Sequence, residues 1–244
     1  MERLENKVVI ITGAAQGMGK IHAEKALEQG AKVIITDINE ESGHQTESEL
    51  KGEVMFIKHN VSDENDWKNV VQQTMDKWGR IDVLVNNAGI TYNTPLEELT
   101  TDDYMKIVQI NQLSVFLGMK TVAPIMKEQH KGSIINISSM NGLVGGAIGY
   151  TDTKFAVRGM TKAASRELSP YNIRVNSVHP GVIQTPMLEQ EGVKEAVEEF
   201  KKTIPMRRVA QAEEVSNMVT FLASDDSSYS TGAEFVIDGG LTAL

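Results

Sequence analysis

The stretch "YTDTK" places Tyr150 four residues ahead of Lys154. On a helix, that spacing puts a phenol and an amine on one face, one turn apart. A free phenol has a pKa of about 10, so only about 0.1% is ionised at neutral pH. Sharing its proton near pH 7 requires about 4 kcal/mol of differential stabilisation. A neighbouring ammonium is one charge able to contribute to that. Tyr-x-x-x-Lys by itself is a frequent accident. Here Ser138 and Ser139 precede it at the end of an apolar run, where a hydroxyl can hold a substrate oxygen.

A second cluster lies near the start. "TGAAQGMG" (12–19) follows one apolar run and opens a helical pattern. Gly13, Gly17 and Gly19 permit a tight turn and close approach to a ligand. The free N–H groups of the helix start then suit a pyrophosphate. Gln16 and Met18 belong to the same turn and are expected to touch the ligand. The spacing is Gly-x3-Gly-x-Gly, so the strand–turn–helix context carries more weight than the glycines alone. Asp37 ends the second apolar run, where a carboxylate meets the adenosine ribose of a dinucleotide. It accepts from both ribose hydroxyls and repels a 2′-phosphate. Ile38 and Asn39 follow it, and neither is basic. NAD is therefore expected in preference to NADP, and its cationic nicotinamide is a second charge able to act on the Tyr150 phenol.

These residues need a frame. Seven apolar runs read as strands: 7–13, 32–37, 54–62, 81–89, 132–139, 173–181 and 233–240. They are continuous rather than alternating, which indicates burial on both faces. Helical patterns separate them at 19–30, 63–78 and 150–168, and a long one over about 101–128 opens at a capping box of Thr100 and Asp103. The expected class is α/β: a doubly wound, mostly parallel seven-stranded sheet with helices on both faces. A β/α barrel is the alternative, and the glycine turn after the first strand favours the open sheet. One domain over 1–244 is expected, since no linker or repeat interrupts the chain. Residues 186–205 break the rhythm. Val193, Val197, Phe200 and Ile204 fall near helical spacing, giving an amphipathic helix or a lid over the site.

Composition narrows the field. The net charge of −9 argues against nucleic acid as a partner. No apolar run approaches membrane-spanning length, and the amino terminus has no signal-peptide layout. No cysteine is present, which excludes disulfides and thiolate chemistry and suits a cytoplasmic location. The five histidines show no metal-ligand spacing, so no metal is expected. His179 reads as a packed structural residue, and Trp67 and Trp78 read as packing.

"TGAAQGMG", "NNAG" (86–89), Asn111, "SS" (138–139), "YTDTK" and "HPGVIQT" (179–185), in this order and down to the terminal "DGG", make the whole chain resemble the short-chain dehydrogenase/reductase family. The resemblance implies a Rossmann-like sheet, a nicotinamide cofactor and hydride transfer between a secondary alcohol and a ketone. It implies Tyr150 as acid/base and Lys154 as the group that lowers the phenol pKa and binds the nicotinamide ribose. Ser139 would polarise the carbonyl, and the main chain of Asn111 would hold a relay water. Asn87, Ala88 and Gly89 would line the adenosine half. Ile183 and Thr185, after Pro180 and Gly181, would meet the carboxamide, and Met140 and Met187 would border the substrate. The family usually has Asp-Val where this chain has Asn60-Val61, so the adenine contact falls to an amide carbonyl. Ser139 precedes Tyr150 by eleven residues, where thirteen is common. Hydroxysteroid dehydrogenases and secondary-alcohol carbonyl reductases look most similar. A 3-oxoacyl-[acyl-carrier-protein] reductase and a catalytically silent NAD-binding regulator are the alternatives, and a homotetramer is the expected assembly.

Overall fold

The computed structural model describes residues 2–184 and 193–243. Its strands are β1 (Val8–Thr12), β2 (Lys32–Asp37), β3 (Val54–Lys58), β4 (Val83–Asn86), β5 (Gly132–Ile137), β6 (Ile173–Pro180) and β7 (Glu234–Ile237). They form one sheet in the order β3-β2-β1-β4-β5-β6-β7, and every neighbouring pair is parallel. The order reverses between β1 and β4, which opens a crevice at their carboxyl ends.

Helices cover both faces. The residues of β1 divide alternately between two cores. Val9 and Ile11 pack with Ala23 and Ala26 of α1 (Gly17–Glu28) and with Val215, Val219 and Leu222 of α8 (Ala212–Ala223). Val8 and Ile10 pack with Trp67 and Val70 of α3 (Glu64–Trp78), Val115 and Val122 of α5 (Ser114–Gln129), and Val157 of α6 (Tyr150–Leu168). Each such aliphatic side chain contributes roughly 1.5–3 kcal/mol by leaving water. The continuous apolar runs in the sequence follow directly from this double coverage. Trp67 is fully buried, and its Nε1 donates to Val61 O at 2.8 Å, so the core also holds the chain beyond β3.

Several elements differ from expectation. The single helix expected over 101–128 is divided into α4 (Thr101–Val108), a π-helical turn (Gln109–Leu113) and α5. Such wide turns concentrate at functional sites, and this one holds buried Asn111. The helix α2 (Glu40–Glu49) has few apolar side chains to announce it. It buries only Gly43 and Thr46, and Asn39 caps it through Ser42 N. The helix α8 is opened by reciprocal bonds between Gln211 and Glu214. In the expected lid, α7 (Val193–Lys201) is helical and Ile204 is buried, but Phe200 is 40% exposed rather than turned inward. The earlier part of that segment lies outside the described residues.

Candidate active site

Residues singled out by type and spacing gather where six strands end. Gly13 follows β1, Asp37 closes β2, Asn60 lies just past β3, Asn87 follows β4, Ser138 and Ser139 follow β5, and Pro180 closes β6. A cavity of about 390 Å³ occupies the crevice between β1 and β4. Gly13, Gln16, Met18 and Gly19 line it from the first turn, and Asp37, Ile38, Asn60 and Val61 from the second and third strands. Asn87, Ala88 and Gly89 close it from the fourth.

The glycine turn fits a dinucleotide phosphate. Gly13 has φ +62°, and a Cβ there would stand 2.8 Å from Ala88 Cα. A Cβ on Gly19 would strike the carbonyl oxygen of Gly13. Gly17 has φ +57° and faces open space, so backbone conformation rather than crowding demands glycine there. No side chain caps α1 and no acidic residue occupies its first turn, whereas α3 is capped by Asp63 and α4 by Thr100. The first amides of α1 thus remain available to an anion. Asn87 spans the floor. Its Nδ2 donates to Thr12 O and Gly13 O at 2.9 and 3.1 Å, while its buried Oδ1 has no protein partner.

Asp37 accepts from Ala15 N at 3.2 Å and from Asn39 N at 3.0 Å. A carboxylate has about four acceptor sites, so capacity remains for vicinal hydroxyls. Asn60 departs from expectation. Its side-chain carbonyl already accepts from Ser62 N at 3.1 Å and Ser62 Oγ at 2.8 Å, a local Asx turn. What it retains for an adenine is its amide hydrogens, not the acceptor the sequence suggested.

The second half of the site sits beside this cavity. Tyr150 and Lys154 occupy the first two turns of α6, with Lys154 Nζ 5.4 Å from the Tyr150 ring centroid. Lys154 is buried, and its Nζ donates to Ile137 O at 2.9 Å. Burial lowers its pKa to about 8. Burial raises the Tyr150 phenol above its ordinary value, and a hydrogen bond with Ser139 opposes that rise. In the chain alone, the phenol therefore lacks the depression expected from a nearby ammonium. Although the loop to Tyr150 is short, Ser139 reaches it. Its Oγ accepts from Asn141 N at 3.1 Å across the turn Met140–Gly142, leaving its own hydrogen to donate. Ser138 faces elsewhere, donating to Lys154 O at 3.0 Å.

Asn111 bonds both ways with the backbone of Ile90: Ile90 N donates to its Oδ1 and its Nδ2 donates to Ile90 O, each at 2.8 Å. A Cβ on Gly89 would lie 3.4 Å from Asn111 Oδ1 and 3.5 Å from Lys154 Nζ, so cavity and catalytic candidates share a wall. Gly181 N donates to Ile237 O at 2.9 Å, and Ile183 is buried and bridged to Ala210. Thr185 and Met187 lie outside the described residues. His59, Ile90 and Ile110 also line the cavity, and sequence reasoning had passed over them. Ile110 was signalled only by its place beside Asn111.

A larger hollow of about 850 Å³ lies at the amino-terminal end of the strands. Lys7 and Lys131 there are both paired with Asp225, at 2.7 and 2.9 Å, and ligands of open α/β sheets sit at the other end. Among the described residues, no group of His, Asp and Glu is arranged to hold a metal ion, and no helix is long and apolar enough to cross a membrane.

The family profile described as enoyl-(acyl carrier protein) reductase matches residues 13–242. The chain is 44% identical over 251 residues to the cyclopentanol dehydrogenase of Comamonas sp. (strain NCIMB 9872), covering 100% of each. It is 44% identical over 243 residues to the 3-alpha-(or 20-beta)-hydroxysteroid dehydrogenase of Mycobacterium tuberculosis (strain ATCC 25618 / H37Rv), covering 99% of this chain and 91% of that one. A crystal structure of levodione reductase superposes with a TM-score of 0.95 at 36% identity, covering 99% of this chain and 100% of the other.

Proposed function

The chain belongs to the short-chain dehydrogenase/reductase family, and from that premise we propose that it interconverts a secondary alcohol and an apolar ketone with NAD(H). It is an oxidoreductase of CH–OH groups and uses a nicotinamide cofactor. The observation that carries the mechanism is that Asn111 and Lys154 stand behind Gly89 in the wall of the cavity, with Tyr150 beside Lys154 and Ser139 bonded to Tyr150.

When bound, the reduced dinucleotide supplies the hydride that reaches the carbonyl carbon. Ser139 donates its hydroxyl hydrogen to the carbonyl oxygen, since Asn141 N already occupies one of its lone pairs. Tyr150 gives its proton to the developing alkoxide. Lys154 stays largely protonated at neutral pH, holds the ribose, and with the main chain of Asn111 passes a replacement proton to the phenol. The free amides of α1 hold the pyrophosphate. Asp37 holds the adenosine ribose, and this supports NAD over NADP. The substrate loop "MNGLVGGAIG" carries no charge, and it exposes Val144 and Ile148. An apolar ring is the matching substrate class, in line with the activities named for the relatives.

The proposed assembly is a homotetramer. Leu113, Phe116 and Phe155 are each 38–48% exposed around the α5–α6 face. The edge strand β7 exposes Val236 on another side. Two open surfaces on different sides suit a dimer of dimers. Light scattering is expected to return four chain masses; a monomer mass would reject the assembly.

The activity is tested by oxidation of NADH, with NADPH in parallel, against cyclopentanone, a steroid ketone, a small diketone and an acetoacetyl thioester. NADH with a cyclic ketone is expected to be fastest. NADPH with the thioester would instead identify an acyl-carrier-protein reductase, and cofactor binding without turnover would identify a silent regulator. In the same assay, Asp37→Ala should lower the preference for NADH over NADPH by about 10²-fold, by losing paired bonds to the ribose and a repulsive charge. An unchanged ratio would remove Asp37 from cofactor selection.

A further inference from the structure

His179 lies in β6, one residue before its end, and is fully buried. Its two ring nitrogens have different partners. Nδ1 is 3.0 Å from the carbonyl oxygen of Ser139, and Nε2 is 2.9 Å from Ser177 Oγ. A carbonyl only accepts, so Nδ1 carries the hydrogen and Nε2 takes the hydroxyl hydrogen of Ser177. Burial lowers the imidazole pKa, which keeps this neutral form dominant at pH 7.

Ser139 stands at the head of a loop with glycines at 142, 145, 146 and 149. A hydroxyl at the head of so permissive a backbone needs an external anchor. Within the loop, Gly142 N donates to the Ser139 carbonyl at 2.9 Å, and Asn141 N donates to its hydroxyl. Both bonds move with the loop. The bond from His179 comes from the neighbouring strand and does not. We infer that His179 is a positioning residue for Ser139, fixing its peptide so that the hydroxyl meets the substrate oxygen at a set angle beside Tyr150. This rests on the proposed role of Ser139 as carbonyl donor.

Two substitutions separate positioning from packing. In His179→Asn, the amide nitrogen falls where Nδ1 stands and can still donate to Ser139. In His179→Gln, it reaches the place of Nε2 and serves Ser177 instead. Asparagine is smaller by one methylene and leaves the larger void at this buried position, so a packing defect would lower the Asn variant at least as much as the Gln variant, against the order expected here. With the panel ketone turned over fastest, His179→Gln should lower kcat roughly tenfold, the worth of one hydrogen bond. His179→Asn should stay within about threefold of the parent chain. The Kd for NADH, read by fluorescence titration, should hold within about twofold in both. In a Ser139→Ala background, His179→Gln should cause no further loss of kcat. Equal kcat in the Asn and Gln variants, or the same tenfold loss repeated in the Ser139→Ala background, would overturn the inference while leaving Ser139 as the donor. A Ser139→Ala enzyme of full speed would overturn the reading of Ser139, and the inference with it.

Discussion

Tyr150→Phe should lower kcat by roughly three orders of magnitude, within the range attributed to a positioned acid or base. The substitution keeps the ring, its place in the first turn of α6 and the packing around it. It removes one hydroxyl, whose partner in the chain is Ser139. Because burial raises the phenol, Tyr150 is fully protonated at neutral pH and ready to act as the acid in ketone reduction. Alcohol oxidation needs the opposite form, which Lys154 and a bound nicotinamide cation must favour. The wild-type oxidation rate should therefore climb with pH while the reduction rate does not. NADH affinity should change by no more than about twofold, since loss confined to kcat marks an interaction made in the transition state. Stopped-flow single turnovers with a fluorescence titration of NADH separate the two quantities. A Tyr150→Phe enzyme within about tenfold of normal rate would remove the phenol from proton transfer.

The parts of this site legible in the sequence are those imposed by backbone chemistry. Gly13 and Gly17 need left-handed φ, and Gly19 needs the absence of a Cβ beside the Gly13 carbonyl. Such demands leave glycine at fixed intervals whatever the rest of the chain does. The strands were legible because a sheet covered on both faces requires unbroken apolar runs. Contacts between distant residues were not. His179 and Ser139 are forty positions apart and meet only because β5 and β6 are neighbours. The π-helical turn at 109–113 adds about one residue to a run that stays helical on both sides, and no residue type marks where the addition falls. Helix α2 was hidden because its exposed face needs no apolar residue. Asn60 suggested only an adenine contact in the sequence, and its local bonds to Ser62 took the carbonyl that contact needed.

Lys154→Met should separate stability from activity at one side chain. Lys154 is buried, and burial takes its pKa from the ordinary 10.5 to about 8. At pH 7 the folded chain holds a charge that the unfolded chain solvates better, a cost of about 3 kcal/mol at 1.36 kcal/mol per unit. The sign follows from proton counts. Between about pH 8 and 10.5 the unfolded state binds the proton and the folded state does not, so stability rises with pH across that window. Methionine fills similar space without charge. It loses the bond to Ile137 O, worth about 1 kcal/mol, so the net gain is about 2 kcal/mol at pH 7. For a chain of this length, that raises Tm by roughly 4–8 °C. The rise of stability between pH 8 and 10.5 should shrink by the same substitution. Activity should move the other way, with kcat falling about 10³-fold if Lys154 is the relay cation and ribose donor proposed above. A variant that melts below the parent would mean that the ammonium stabilises the fold through contacts stronger than its desolvation. A variant that keeps its rate would mean that the proton reaches Tyr150 by another route. The buried charge is explained only if both expectations hold, since a site that keeps an ammonium out of water at the expense of stability needs that ammonium for chemistry.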